Sequence, residues 1–294
     1  MNTAFKLSLS FTFLLCACNE GETIPDASWP ESLKTQVGQV YEIRWTQSTE
    51  TAGDTGSSGS SNSRNTLIEK VLRTGPNELV LEYDMPSGTS DIDRRRSWQF
   101  PARVRLTPDN KMTLLNADDL KVRNDDWLAW GNYNQSHCGK WLFTWTAQKI
   151  ECDPNSVIGL LDTFNIRRAN LKAGVPYVSF AGLDAVSLVQ EPSGDDIMKL
   201  TAVLELDPEK LRKERAESNL IVAQIMGEKT PTLEEVLQRL QNEKIAGTIE
   251  ITYTLDSMGE PIRRVQINQA NIVNIDGLTE TLKSTETVER RLIE

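Results

Sequence analysis

Histidine is nearly missing from this chain: His137 is the one such residue in 294. A catalytic dyad or a multi-histidine metal site would have to run through that single imidazole, which removes most His-dependent nucleophilic and zinc chemistry. Basic residues are outnumbered, 32 Lys and Arg against 42 Asp and Glu, for a formal net charge of −10. That balance argues against nucleic acid as a partner and against a basic patch for anionic lipid headgroups. Serine-hydrolase elbows, phosphate loops, two-histidine zinc helices and calcium loops do not occur, so the sequence calls for no cofactor and no metal. No apolar run is long enough to cross a bilayer as a helix.

What is there begins at the first residue. The opening "MNTAFKLSLSFTFLLCACNEGE" sets one positive charge, Lys6, before a mostly apolar run from Leu7 to Ala17, the pattern of an export signal. It ends in Leu15, Cys16, Ala17 and Cys18, which resembles the bacterial lipobox of Leu, a variable small residue, Ala or Gly, and an obligatory Cys. The resemblance implies a lipoprotein signal peptide over residues 1–17 and a mature protein that starts at Cys18, acylated with diacylglycerol and palmitate. Several acyl chains, at about 0.8 kcal/mol per buried methylene, anchor a protein stably. The family's sorting rule adds that Asn19, where an Asp would favour inner-membrane retention, points to the periplasmic face of the outer membrane. An ordinary secretory signal cut nearby is the alternative, and it too places the domain outside the cytoplasm.

Residues 18–31 are polar, contain two prolines and suit a tether. Beyond them Cys138 and Cys152 are the remaining cysteines. In an oxidising compartment such a pair reads as a disulfide, and closing a loop of about 15 residues contributes about 3 kcal/mol. A metal site there would lack a second Cys pair or a second His.

The rest of the chain is rich in strand signals. In "VGQVYEIRWTQ" Tyr41, Ile43 and Trp45 alternate with Val40, Glu42 and Arg44. Turns at Gly75, Pro76, Asn77 and at Thr107 to Asn110 each join two strand-like runs. "NADDLKVRNDDWLAW" predicts a helix capped at Asn116. Two further helices open with Asp207 and Pro208, and with Thr230 and Pro231, each as N-cap and first helical residue. "LKAGVPYVSF" at 171–180 echoes "LKTQVGQVYEI" at 33–43, which is either a weak internal repeat or a chance likeness of hairpins. Leu282 to Leu292 is a last strand that would pair back and close the sheet. The expectation is a mainly β, α+β protein: antiparallel curved sheets or half-barrels, two helices in the C-terminal half, a disulfide-bearing lobe at 32–164 and a second lobe at 165–294.

Asp54, Thr55, Gly56 and Ser57 spell the tetrad of aspartic proteases, which they resemble in those residues alone. In that family a buried apolar strand feeds the loop, so that the carboxylate is held dry beside its partner. Here the flanks are "TAG" and "SSGSSN", and the other candidate, "LLDTFN" at 160–165, has Phe164 where the turn needs Gly. The tetrad is therefore read as a chance match in a flexible loop between two strands, and no catalytic residue is assigned.

Trp127, Trp130, Trp141 and Trp145 fall close together, near Tyr133 and the cysteine pair. They are either core or the lining of a ligand surface, since indoles fill cores and also stack on sugars and apolar molecules. The reading that results is a lipid-anchored, non-catalytic envelope module that binds an envelope protein or a small apolar ligand. A carrier or sensor of an apolar molecule and a glycan-binding or glycan-acting protein are the alternatives.

Overall fold

The computed structural model describes residues 35–294 except 55, 57, 144–146, 168–170, 193–196 and 228, with backbone alone at 142, 143, 147 and 148. Cys18, the signal segment, most of the tether region and Trp145 lie outside the described residues.

The chain opens with β1 (Val40–Gly53), β2 (Ser58–Gly75) and β3 (Glu78–Asp84), followed by a short α1 (Asp91–Arg96), β4 (Ala102–Leu106), β5 (Met112–Leu114) and α2 (Ala117–Trp130). A small hairpin of β6 (Trp141–Phe143) and β7 (Ala147–Lys149) leads to α3 (Ser156–Phe164). Then come β8 (Pro176–Tyr177), β9 (Val186–Ser187), β10 (Val189–Glu191), β11 (Met198–Glu205), α4 (Pro208–Ile225) and α5 (Leu233–Leu240). Three long strands finish it: β12 (Lys244–Leu255), β13 (Pro261–Val273) and β14 (Thr279–Leu292).

Ten strands make one antiparallel sheet in the order β10-β11-β12-β13-β14-β1-β2-β3-β4-β5, with β10 and β5 as open edges. The mainly β, antiparallel expectation is what forms, with one continuous sheet in place of two. The final strand does not close it. β14 pairs with β1 on one side and β13 on the other, so it joins the two halves at the middle. Two-residue turns and capped helices carry local signals, whereas this pairing links residues more than 200 positions apart, such as Tyr41 with Leu292.

Three further expectations are corrected. The loop expected around Asp54 is much shorter: β1 runs to Gly53, β2 starts at Ser58, and ladder pairs such as Thr49 with Ser61 and Thr51 with Gly59 hold the polar flanks as strand. Ladder hydrogen bonds use backbone alone, so small polar side chains suffice where a neighbouring strand supplies the partners. The second capped helix, α5, begins two residues later than predicted. Thr232 is its N-cap and forms a reciprocal box with Glu235, an arrangement that outweighs the preceding Pro231 as a start signal. α3 lies over "SVIGLLDTF", where a helix was not expected. The echoing segment 171–180 contributes the two-residue strand β8 to a small separate hairpin sheet with β9, whereas 33–43 leads into the central strand β1.

Alternate residues of the strands face one side, and there two apolar clusters form. The first joins Tyr41, Ile43, Trp45, Leu67, Leu81 and Tyr83 to α2 and α3 through Leu120, Trp127, Leu161 and Phe164. Ile166 and, from β14, Val288 also belong to it. The second gathers Leu200, Leu204, Ile249, Ile251, Tyr253 and Ile272 beside Leu211 of α4. The disulfide between Cys138 and Cys152, with Cα atoms 5.6 Å apart, packs against the first cluster.

Candidate functional site

Between the clusters the covered face turns polar. Register places Thr49 opposite Ser284 and Ser284 opposite Asn268, a row of small side chains across β1, β14 and β13. One step along lie Ala270 and Leu282, and Gln47 stands on the other side of the row. Such small residues do not fill the space beneath α4, and a cavity of about 50 Å³ remains within a wider, partly open recess. Leu206, Leu211 and Ala181 wall it, and Glu214 of α4 reaches into it.

α4 is positioned by specific ties. Asp207 caps its first turn by accepting from the backbone of Glu209 and Lys210. Arg212 donates to the carbonyls of Leu240 and Glu243, fastening α4 to the end of α5. Arg215 bridges Glu280 of β14 at 3.0 Å and Glu243 at 3.4 Å. Leu211 and Glu214 are three residues apart and so share a helical face. Glu214 thus puts a carboxylate on the covered side, and that carboxylate has no hydrogen bond or ion pair among the described residues. Burial, and secondarily the charge of Glu217, push its pKa up to about 7. At neutral pH the group therefore exchanges readily between donor and acceptor. Sequence reasoning missed it, although its spacing from Leu211 was the available signal.

A second buried polar group lies in the first cluster. Glu69 of β2 accepts from both terminal nitrogens of Arg167, from Nε of Arg290 at 3.3 Å and from the hydroxyl of Tyr83 at 3.0 Å. Arg290 also reaches Glu260 at 3.3 Å and lies over the Tyr41 ring, 3.3 Å from its centre. Burial alone would raise the Glu69 pKa, but the two guanidiniums outweigh it and hold the group at about 2. The same carboxylate and burial together raise Tyr83. Two acids and two arginines balance in charge, and the cluster ties together β2, β14, the β12–β13 turn and the chain after α3. This is an internal brace and not a ligand site.

The residues singled out from the sequence are dispersed. Trp127 is buried in the first cluster, 5.9 Å from the Tyr133 ring, while Trp130 is exposed beneath the Arg95 guanidinium. Trp141 is half-buried on β6. Asp54 sits at the exposed turn between β1 and β2, where its carboxylate accepts from the backbone of Thr279 at 2.8 Å. Asp162, the other candidate acid, lies on α3, and burial raises its pKa to about 6. His137 is on a surface turn, where its ring accepts from the backbone of Asn134. Among the described residues no cluster of acids, cysteines or histidines is arranged to hold a metal ion.

No family model and no curated protein matches the sequence. Among solved structures, a lipovitellin described for its lipid–protein interactions is similar over 88% of this chain at 10% identity and a TM-score of 0.42. The chain spans 25% of that lipovitellin's length. The attachment invasion locus protein Ail of Yersinia pestis (87% of this chain and 99% of that one, 4% identity, TM-score 0.19) is also similar. So is an outer membrane channel of Pseudomonas putida F1 (92% of this chain and 99% of that one, 7% identity, TM-score 0.21). At these scores the likenesses define no class by function, and the chain takes no family name from them.

Proposed function

We propose that this chain is a lipid-anchored protein of the cell envelope, held at the periplasmic face of the outer membrane through acyl chains on Cys18, whose domain is a non-catalytic binding module. Its ligand is an apolar molecule carrying one hydrogen-bonding group. The observation that carries this reading is the cavity beneath α4, with apolar walls, a floor row of hydroxyl and amide groups, and a carboxylate that no neighbour satisfies. Pockets for small ligands combine apolar lining with few convergent polar groups in this way. Glu214 is the one titratable side chain lining it, whereas acid–base catalysis ordinarily uses a matched pair. The cavity as it stands admits a small head group. The lipid anchor rests on the Leu15, Cys16, Ala17, Cys18 pattern.

Native mass spectrometry of an exported form carrying Cys18→Ala, compared with its denatured mass, tests the binding reading. Added mass that disappears on denaturation, and that falls when Ala270→Leu fills the cavity, supports it. A bare monomer in both states overturns the small-ligand reading and directs attention to envelope partners captured by crosslinking.

A further inference from the structure

The first described residues enter at one end of the sheet. Thr35 donates to Glu260 in the turn between β12 and β13, and the backbone of Gly38 donates to Val71. Val40 exchanges backbone hydrogen bonds with Ile293 and Glu294 at the chain's end. Around that entry point stand four exposed apolar side chains: Val37 at 61%, Met258 at 48%, Leu292 at 52% and Ile293 at 42%. Each lies within two residues of one of these contacts or of Tyr41, the partner of Leu292. Directly beneath them is the ion brace of Glu69, Arg167, Arg290 and Glu260, so the end is built on a fixed base.

These exposed apolar side chains share one end of the sheet with the chain's entry, and the residues before Thr35 indicate what they face. Cys18 precedes Thr35 by about 17 residues, which limits the domain entry point to within about 60 Å of the acylated residue. We infer that this end of the sheet is a membrane-facing surface, and that Val37, Met258, Leu292 and Ile293 dip into the interface of the bilayer that holds the anchor. Apolar side chains at the headgroup boundary add binding in proportion to the area they bury. The acidic balance of the chain fits a zwitterionic surface better than an anionic one. This inference rests on the lipid-anchor reading above.

The test uses the acylated full-length chain in phosphatidylethanolamine-rich vesicles. Single thiols are introduced by Met258→Cys and by Ile293→Cys, and for comparison by Ile275→Cys in the β13–β14 turn at the other end, which is also exposed. With Cys18 acylated and Cys138 bonded to Cys152, the new thiol alone takes an environment-sensitive dye. A lipid-borne quencher is expected to reduce emission about twofold at 258 and 293, with little change at 275. Equal quenching at all three positions, or none at 258 and 293, overturns the inference. A change in dye emission at 258 that follows protein concentration in the absence of lipid assigns the surface to a second copy and also overturns it. Flotation distinguishes the two readings: a chain that fails to float with vesicles refutes the anchor, whereas one that floats with 258 unquenched refutes only the membrane-facing end.

Discussion

Replacing Glu214 with Gln should make the protein more stable in alkali and leave it unchanged in acid. The folded carboxyl has its pKa raised to about 7 from an ordinary 4.5. Above pH 7 the folded state keeps a charge in a desolvated recess, while the unfolded chain keeps it in water, so folding is weakened. As pH falls from 7 toward 4.5 the folded state takes up a proton that the unfolded state does not, and stability rises through that window. Below 4.5 both states are protonated and the effect is complete. At 1.36 kcal/mol per pKa unit the ceiling is about 3 kcal/mol, and partial solvent exposure reduces the expected value to about 2 kcal/mol. Urea unfolding of the soluble form at a series of pH values, for the wild type and for Glu214→Gln, isolates this group and its coupling to Glu217, because Asp162 and the other distant titrations cancel in the difference. The variant should be more stable by about 2 kcal/mol at alkaline pH, with the gap closing between pH 7 and 4.5. A difference that stays flat across that window, or a variant less stable at pH 8, would mean that the carboxylate has a partner and that the cavity lacks an unsatisfied group.

Glu69→Gln should cost about 3–5 kcal/mol, because among the described residues it leaves Arg167 and Arg290 buried with Glu260 as the remaining acid. In the wild type the stabilisation from Glu69 is present above its unfolded value of 4.5 and is lost as pH falls toward 2, which acid unfolding of the two proteins measures. Converting Cys138 and Cys152 to Ser together should lower stability by about 3 kcal/mol in denaturant, and neither thiol should label before reduction. Replacing residues 53–57 with Asn-Gly should be tolerated, because a two-residue turn there keeps Ala52 opposite Ser58, whereas deleting 47–53 with 58–63 should prevent folding by removing ladder partners of β14. Cys18→Ala should move the protein from the membrane fraction to the soluble fraction, and continued membrane association would refute the acyl anchor.

Local signals were legible wherever neighbours in sequence make the structure. The Gly75 to Asn77 and Thr107 to Asn110 turns, the Asp207 cap and the disulfide pair follow from a few adjacent residues whose backbone angles, side-chain acceptors or thiols act within one turn or one closed loop. Alternation at Tyr41, Ile43 and Trp45 likewise named a core face before the sheet was known. Thr49 and Ser61, in contrast, carry no strand signal of their own. They became strand because β1 and β2 supply each other's backbone partners and β14 completes β1 on the far side.

Sequence by itself thus determined the cysteine pairing, the class of fold and most turns, because each depends on composition or on contacts a few residues long. Tertiary structure alone decided that β14 lies beside β1, and everything of functional interest follows from that pairing. It sets Ser284 between Thr49 and Asn268 to make the floor of a cavity, lets Glu214 cover it, and brings Arg290 to Glu69 across a sequence separation of 221. No local pattern encodes such neighbours, since register between distant strands is fixed only when both hydrophobic faces and both sets of backbone groups are satisfied at once.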